Sequence, residues 1–256
     1  MQEYTIGKTG VKMRYFDLPG DEMPILFVHG LGCGGSFDYP RLASQKCLAG
    51  HRRILADLPG AGYSDKPEGF DYSVRAHASY LKGLMEDVVG EKFILYGHSL
   101  GGAVAIELAA MCPDMIDRLI ICESNIDPSG DDSWSKGIAD QDKARYISRG
   151  HMELVGREMC RGNTLWAASL KNWLPEAAWK ISKNAAKGGD PSWRDMLYAL
   201  PMPKYSIFGE KSLPDYDEQE LRKHDITVKI VPGVGHFMAC EDPASTAAVI
   251  AECLFC

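Results

Sequence analysis

Short apolar runs alternate with longer amphipathic stretches over the first half of the chain. The runs at 24–28, 53–56, 93–96 and 118–122 are dominated by Ile, Leu, Val and Phe. Such runs are typical of strands that are buried on both faces of a sheet. The stretch 73–89 between two of them has the spacing of an amphipathic helix. Strands that alternate with helices predict a mostly parallel, doubly wound α/β sheet.

Both ends of this pattern add further strands. Segments 4–6 and 11–16 alternate around the turn residues Lys8, Thr9 and Gly10, which predicts a hairpin. Segments 205–208 and 227–231 resume the apolar runs near the C-terminus. With these segments the prediction is an eight-stranded sheet flanked by helices.

The strand pattern is interrupted between 127 and 195, where the sequence predicts several short helices separated at Gly150, Gly162, Pro175 and the turn 188–191. All five tryptophans of the chain lie in this segment. Large aromatic side chains would pack a small helical unit on a main domain, and some could line an apolar pocket. We therefore expect a core domain formed by residues 1–126 and 196–256. Residues 127–195 would form a helical cap inserted after the sixth strand.

Composition and charge narrow the class of protein. The chain has 256 residues, 45% hydrophobic and 25% charged, with a net charge of −7 and no basic run. These values argue against binding to nucleic acid or to an anionic membrane surface. The sequence shows neither a signal peptide nor an apolar run that could span a bilayer, which favours a cytoplasmic protein. A monomer or a homodimer would fit.

No cofactor or metal is expected from the sequence. The glycine-rich stretch 30–35 follows an apolar run, but its spacing does not match a dinucleotide fingerprint. The chain contains eight cysteines. We interpret them as free thiols, which are typical of proteins in a reducing compartment. Cys253 and Cys256 form a terminal C-x-x-C, which we interpret as incidental because no second pair accompanies it.

The stretch 97–102, Gly-His-Ser-Leu-Gly-Gly, is the strongest candidate for chemistry. It lies between the apolar run 93–96 and the predicted helix 103–110. A serine at a sharp corner between a strand and a helix is a nucleophile elbow, in which the hydroxyl of Ser99 points out of the turn. Glycines two residues before and two residues after the serine leave room for that strained backbone.

Four motifs in the same order resemble the α/β-hydrolase superfamily, in its small capped group of esterases, C–C bond hydrolases and cofactor-free haloperoxidases. The motifs are His29-Gly30-Leu31-Gly32, Asp57-Leu58-Pro59-Gly60-Ala61-Gly62-Tyr63-Ser64, Gly97-His98-Ser99-Leu100-Gly101 and Gly233-Val234-Gly235-His236-Phe237. The resemblance extends over nearly the whole chain. It implies fold and catalytic machinery, but it does not specify a substrate.

The resemblance implies a serine nucleophile, Ser99, and a histidine base, His236. It also implies an oxyanion hole, which we assign to the backbone amides of Leu31 and Leu100. His29 precedes the glycine-rich turn, and we interpret it as a structural hydrogen-bonding residue.

The acid of the triad departs from the pattern of most relatives. They carry an aspartate in the turn after the strand that corresponds to 205–208, whereas this chain has Ser212 there. Two other acids keep the order serine, acid, histidine. Glu123 follows the run 118–122 and is our first choice, and Asp215 is the alternative.

The expected function is a serine hydrolase that cleaves a small carboxylic ester, thioester or lactone through an acyl-enzyme on Ser99. A C–C bond hydrolase or a perhydrolase would use the same residues. A small-molecule receptor with a hydrolase fold is the alternative from a different class of protein. The expected partner is a small acyl substrate.

Overall fold

The computed structural model describes residues 1–254, and these form a sheet sandwiched between helices. Its strands are β1 Gln2–Thr5, β2 Lys12–Leu18, β3 Glu22–Val28, β4 His51–Ala56, β5 Phe93–His98, β6 Ile116–Cys122, β7 Lys204–Gly209 and β8 Ile226–Val231. The eight strands lie in the order β1-β2-β4-β3-β5-β6-β7-β8. The β1–β2 and β2–β4 pairings are antiparallel, and the five other pairings are parallel. The predicted fold class, an eight-stranded and mostly parallel α/β sheet, is confirmed.

The helices are α1 Gly35–Asp38, α2 Pro40–Ala43, α3 Val74–Val88, α4 Leu100–Met111, α5 Trp134–Ala139, α6 Lys143–Arg145, α7 His151–Cys160, α8 Thr164–Leu170, α9 Pro175–Lys187, α10 Trp193–Ala199, α11 Tyr216–Arg222, α12 Met238–Glu241 and α13 Pro243–Glu252. The predicted helix at 73–89 is therefore α3. Its first turn is capped by Ser73, whose side chain accepts a hydrogen bond from the Ala76 amide.

The continuous apolar runs arise because both faces of the sheet are covered. In β3, Leu26 and Val28 pack with α3 and α4 on one face. Ile25 and Phe27 pack with α2 and α13 on the other face. Since successive side chains of a strand point to opposite faces, a strand covered on both sides needs apolar residues at every position. Because the central strands run parallel, their carboxyl ends lie at one edge of the sheet.

Helices α5 to α10 lie between β6 and β7, and we call residues 134–199 the helical insert. The expected break at Gly150 is absent, because this glycine has helical dihedral angles and lies in a π-helical turn, Tyr146–Gly150, that joins α6 to α7. The predicted boundary after residue 195 falls inside α10, which begins after its cap Ser192 and continues to Ala199. The division of the chain into core and cap domains stays a prediction.

Two residues of α10 attach it to the rest of the molecule through ionic or polar contacts. Arg194 forms ion pairs with Asp127 and with Asp217 of α11. The indole N–H of Trp193 donates to the Glu107 carboxylate of α4 at 3.2 Å. The insert is thus fixed to the core at its C-terminal end.

Among the helices of residues 1–254, none combines the length and the apolar character needed to cross a bilayer. Of the C-terminal cysteine pair, Cys253 is buried, and Cys256 lies outside the described residues.

Candidate active site

Ser99 lies at the corner between β5 and α4, where the sequence predicts the elbow. Its backbone dihedral angles, φ 53° and ψ −128°, lie in a region that costs a non-glycine residue about 1–3 kcal/mol. Crowding explains the flanking glycine at 101, because a Cβ there would lie 2.5 Å from the carbonyl oxygens of Val28 and His29. The strained corner lifts the serine hydroxyl away from the sheet.

His236 follows β8 and places its ring beside the serine. Its Nε2 lies 3.1 Å from Ser99 Oγ, which is within hydrogen-bonding reach. The loop that carries it is held by Glu241, whose carboxylate accepts from the amides of Gly235 and Phe237. A base in contact with a nucleophile is the arrangement that activates a serine.

His98 also supports the loop that carries His236, through a contact that the sequence does not predict. Its Nε2–H donates to the His236 carbonyl oxygen at 2.7 Å. Burial, together with the nearby His236 ring, lowers the pKa of His98 to about 3, so this side chain stays neutral near neutral pH. The position is inside the elbow motif, but nothing in the motif indicates this contact.

Glu123 lies immediately after β6, the neighbour of β5 in the sheet. Its Oε2 is 3.5 Å from His236 Nδ1, and its Oε1 accepts from the Gly209 amide at 2.7 Å. Burial opposes the charged carboxylate, but hydrogen bonds from His236, Gly209 and Ser212 outweigh it and lower the pKa of Glu123. The carboxylate is therefore ionised on the far side of the His236 ring from Ser99.

The two other positions considered for the acid have different surroundings. Ser212 contributes a hydrogen bond to the Glu123 carboxylate. Asp215 is exposed and caps α11, where its side chain accepts from the Asp217 amide at 2.7 Å. Asp215 is also absent from the residues that line the cavity above Ser99. The geometry therefore brings Glu123 to His236 and leaves Asp215 at a helix terminus.

Leu31 and Leu100 both line the cavity next to Ser99. Leu100 begins α4, so its amide is one of the first-turn amides that lack a helical partner. Leu31 lies in the turn from Gly30 to Cys33, which is closed by a hydrogen bond from the Cys33 amide to the Gly30 carbonyl at 3.2 Å. A Cβ on Gly30 would lie only 3.4 Å from Ser99 Oγ, so this turn approaches the serine closely.

His29 is 1% exposed and lies behind this turn. One ring nitrogen, Nδ1, lies 2.9 Å from the Gly30 carbonyl, and Nε2 accepts from the Leu58 amide at 3.0 Å. Burial lowers the pKa of His29, and the residue does not line the cavity. These contacts agree with a structural role.

The cavity above Ser99 has a volume of about 290 Å³. Its apolar lining includes Leu31, Leu100, Trp134, Trp166 and Phe237. Its polar lining includes Glu123, Ser124, Asn125, Asp132, Ser133 and Ser135. The lining includes two carboxylates but neither lysine nor arginine among the residues that the structure describes.

Indole N–H groups from the insert reach the turn beside Ser99. Trp166 Nε1 donates to the Leu31 carbonyl at 2.8 Å, and Trp173 Nε1 donates to the Cys33 carbonyl at 2.7 Å. The sequence suggested an apolar role for these tryptophans and gave no indication of the hydrogen bonds, because donors and acceptors are 135 and 140 residues apart.

Between residues 1 and 254, no three or more His, Cys, Asp or Glu side chains lie in a group that could hold a metal ion.

Comparison with known proteins identifies the family of the fold. Residues 23–149 match the family model described as alpha/beta hydrolase fold. A pimeloyl-[acyl-carrier protein] methyl ester esterase of Aeromonas salmonicida is 30% identical over 237 residues, which cover 82% of this chain and 88% of the relative. The chain belongs to the α/β-hydrolase family.

Two further matches define how far the similarity extends. An uncharacterized protein of Mycobacterium tuberculosis is 37% identical over 111 residues, which cover 42% of this chain and 31% of the relative. The chain thus spans about a third of the length of that curated relative. A solved esterase of Thermogutta terrifontis superimposes with a TM-score of 0.79 at 23% identity, covering 99% of this chain and 98% of the other.

Proposed function

We propose that this protein is a serine hydrolase that cleaves a small, uncharged carboxylic ester, thioester or lactone through an acyl-enzyme on Ser99. The observation that carries the proposal is the contact of 3.1 Å between Ser99 Oγ and His236 Nε2. His236 in turn lies 3.5 Å from the Glu123 carboxylate. A nucleophile, a base and an acid in this order can perform acyl transfer.

In the first half of the reaction, Ser99 Oγ attacks the carbonyl carbon of the substrate while His236 Nε2 takes the hydroxyl proton. The tetrahedral intermediate collapses, its bond to the leaving group breaks, and His236 gives the proton to the departing oxygen or sulfur. In the second half, His236 takes a proton from water, and the resulting hydroxide attacks the acyl-enzyme. The acid product leaves as Ser99 regains its proton.

Glu123 supports His236 during both halves. Its ionised carboxylate orients the imidazole through Nδ1 and stabilises the positive charge that the ring acquires. The backbone amides of Leu31 and Leu100 hold the oxyanion, since both residues border the cavity at Ser99. Neither amide donates a hydrogen bond elsewhere within the described part of the chain.

The charge of the lining supports an uncharged substrate. A substrate with a carboxylate would face Glu123 and Asp132 with no lysine or arginine to offset the repulsion. The relative from Aeromonas salmonicida is named for an ester substrate, which supports ester over C–C bond cleavage.

The test compares two matched substrates, p-nitrophenyl pentanoate and p-nitrophenyl hemisuccinate, which have acyl chains of similar size and differ by a terminal carboxylate. We expect turnover of the uncharged ester, and a kcat/KM lower by about tenfold or more for the anionic one. The Ser99→Ala variant is expected to lose turnover of both.

Two results would contradict the proposal. Turnover that persists in Ser99→Ala would exclude the acyl-enzyme. Labelling of Ser99 by a fluorophosphonate without turnover of any ester, thioester or lactone would instead favour the small-molecule receptor.

A further inference from the structure

The residues of the turn Gly30–Cys33 permit more than one backbone conformation. Gly32, its third residue, has φ +73°, which is typical of a type II turn. Rotation of the peptide plane between Leu31 and Gly32 converts such a turn into type I, and glycine accepts both states. The rotation turns over the Leu31 carbonyl and the Gly32 N–H. The Leu31 N–H belongs to the preceding peptide, so its direction depends on where the turn as a whole lies. One hydrogen bond of 3.2 Å, from the Cys33 amide to the Gly30 carbonyl, closes the turn.

Two tryptophans of the helical insert hold this turn from outside. Trp166 donates its indole N–H to Leu31 O at 2.8 Å, so it contacts the peptide plane whose rotation distinguishes the two states. Trp173 donates to Cys33 O at 2.7 Å, at the end of the turn. Both indoles are 3% exposed, so water does not replace these donors.

The fit between Trp166 and the turn is close. A Cβ on Gly32 would lie 2.5 Å from Trp166 Nε1, so glycine is needed for the indole to reach its acceptor. The other face of the turn lies against Ser99, as the position of Gly30 shows. The turn is therefore held between the indoles on one side and the nucleophile on the other.

We propose that Trp166 and Trp173 are positioning residues that hold the turn Gly30–Cys33 in place beside Ser99, and with it the Leu31 amide that faces the oxyanion. The helical insert would then stabilise the transition state as well as enclose the substrate. This inference rests on the proposed function, because it assigns the turn to the oxyanion hole of the same site. A buried carbonyl that loses its donor is costly, so removing either N–H favours states in which the turn shifts from its place beside Ser99.

The experiment removes each N–H and keeps an aromatic ring, in Trp166→Phe and Trp173→Phe. The matched control is Trp179→Phe, because the indole of Trp179 donates to Gln141 O at 3.0 Å within the insert and does not contact the turn. Steady-state kinetics on p-nitrophenyl pentanoate and the rate of Ser99 phosphonylation by a fluorophosphonate are measured for each variant. If the smaller ring unfolds the protein, 3-benzothienylalanine at positions 166 and 173 preserves the bicyclic shape without the donor.

We expect kcat and the phosphonylation rate to fall about tenfold in the Trp166 and Trp173 variants, with KM changed by less than about threefold. Trp179→Phe should leave all three values near those of the parent. An equal loss in Trp179→Phe, a rise in KM with unchanged kcat, or no change at all would overturn the proposal. If the parent hydrolyses no ester, the proposed function fails, and the phosphonylation rates still decide whether the indoles position the turn.

Discussion

Glu123 Oε2 lies 3.5 Å from His236 Nδ1, and Glu123 Oε1 is fixed by the Gly209 amide at 2.7 Å. Glu123 thus reaches the histidine from the end of β6, while β7 contributes the Gly209 amide as a backbone donor and the turn after β7 contains Ser212. Glu123 has φ +48°, an unfavourable value for its residue type, so the site retains backbone strain at this position as well as at Ser99.

Replacement of Glu123 tests its role directly. We expect Glu123→Gln to lower kcat by about a thousandfold or more, because the imidazolium loses its counter-charge and the ring loses its orientation. The measurement is kcat on p-nitrophenyl pentanoate. Asp215→Ala is the matched control, and it should cost only about 1 kcal/mol of stability through loss of a helix cap. The reverse ranking of the two activities would exclude Glu123 as the acid.

The acid of the triad can be placed instead at position 212, in the turn after β7. Ser212 contacts the Glu123 carboxylate, so an aspartate there would lie near His236. We expect the double variant Glu123→Gln/Ser212→Asp to recover about tenfold or more of the kcat that Glu123→Gln loses. A double variant no more active than Glu123→Gln would show that the β7 position cannot reach the histidine.

His98 should affect kcat without contacting the reacting atoms. Its Nε2–H holds the His236 carbonyl at 2.7 Å, and His98→Phe removes that donor from the loop. We expect kcat to fall by about five- to tenfold with KM nearly unchanged, and His98→Gln, which retains an N–H donor, to restore part of the loss. Equal activities of parent and His98→Phe would contradict this role.

His77 makes the folded state sensitive to acid. It is fully buried in α3, neither ring nitrogen has a partner among the described residues, and burial lowers its pKa from 6.5 to about 3. Below pH 6.5 the unfolded chain binds a proton that the folded chain does not, so stability is lost as the pH falls from 6.5 towards 3.

The variant His77→Phe removes this ionisation and keeps an aromatic ring against Tyr72 and Tyr80. We expect its free energy of unfolding to exceed that of the parent by a margin that widens by about 2 kcal/mol between pH 7 and pH 5. Urea unfolding at the two pH values measures this margin. A margin that does not change with pH would show that His77 binds its proton equally well in both states.

Local motifs made part of the candidate site predictable. The positions of Ser99 and His236 depend on short sequences at strand ends, and the parallel sheet brings those ends together. Glu123 could be suggested because Ser212 stands where an acid is usual and because β6 neighbours β5. These residues lie together in the structure, and their catalytic roles remain the proposal made above.

Long-range contacts were not predictable in the same way. The bonds from Trp166 and Trp173 to the turn depend on how the insert packs, and a hydrophobic pattern specifies burial but not which carbonyl an indole meets. At Gly150, a residue that commonly ends helices lies inside one, since the packing of α7 on α8 outweighs its weak local preference. The sequence did not predict the bounds of α10, because its cap, Ser192, directly follows a glycine-rich turn.

The most direct test of the central claim is to trap the acyl-enzyme. Glu123→Gln is mixed with p-nitrophenyl pentanoate, quenched in acid, and examined by intact mass and peptide mapping. We expect a covalent pentanoyl adduct on the peptide that contains Ser99, and no adduct when Ser99→Ala is treated in parallel. Hydrolysis by the parent enzyme that continues after complete phosphonylation of Ser99, or an adduct on another residue, would contradict it.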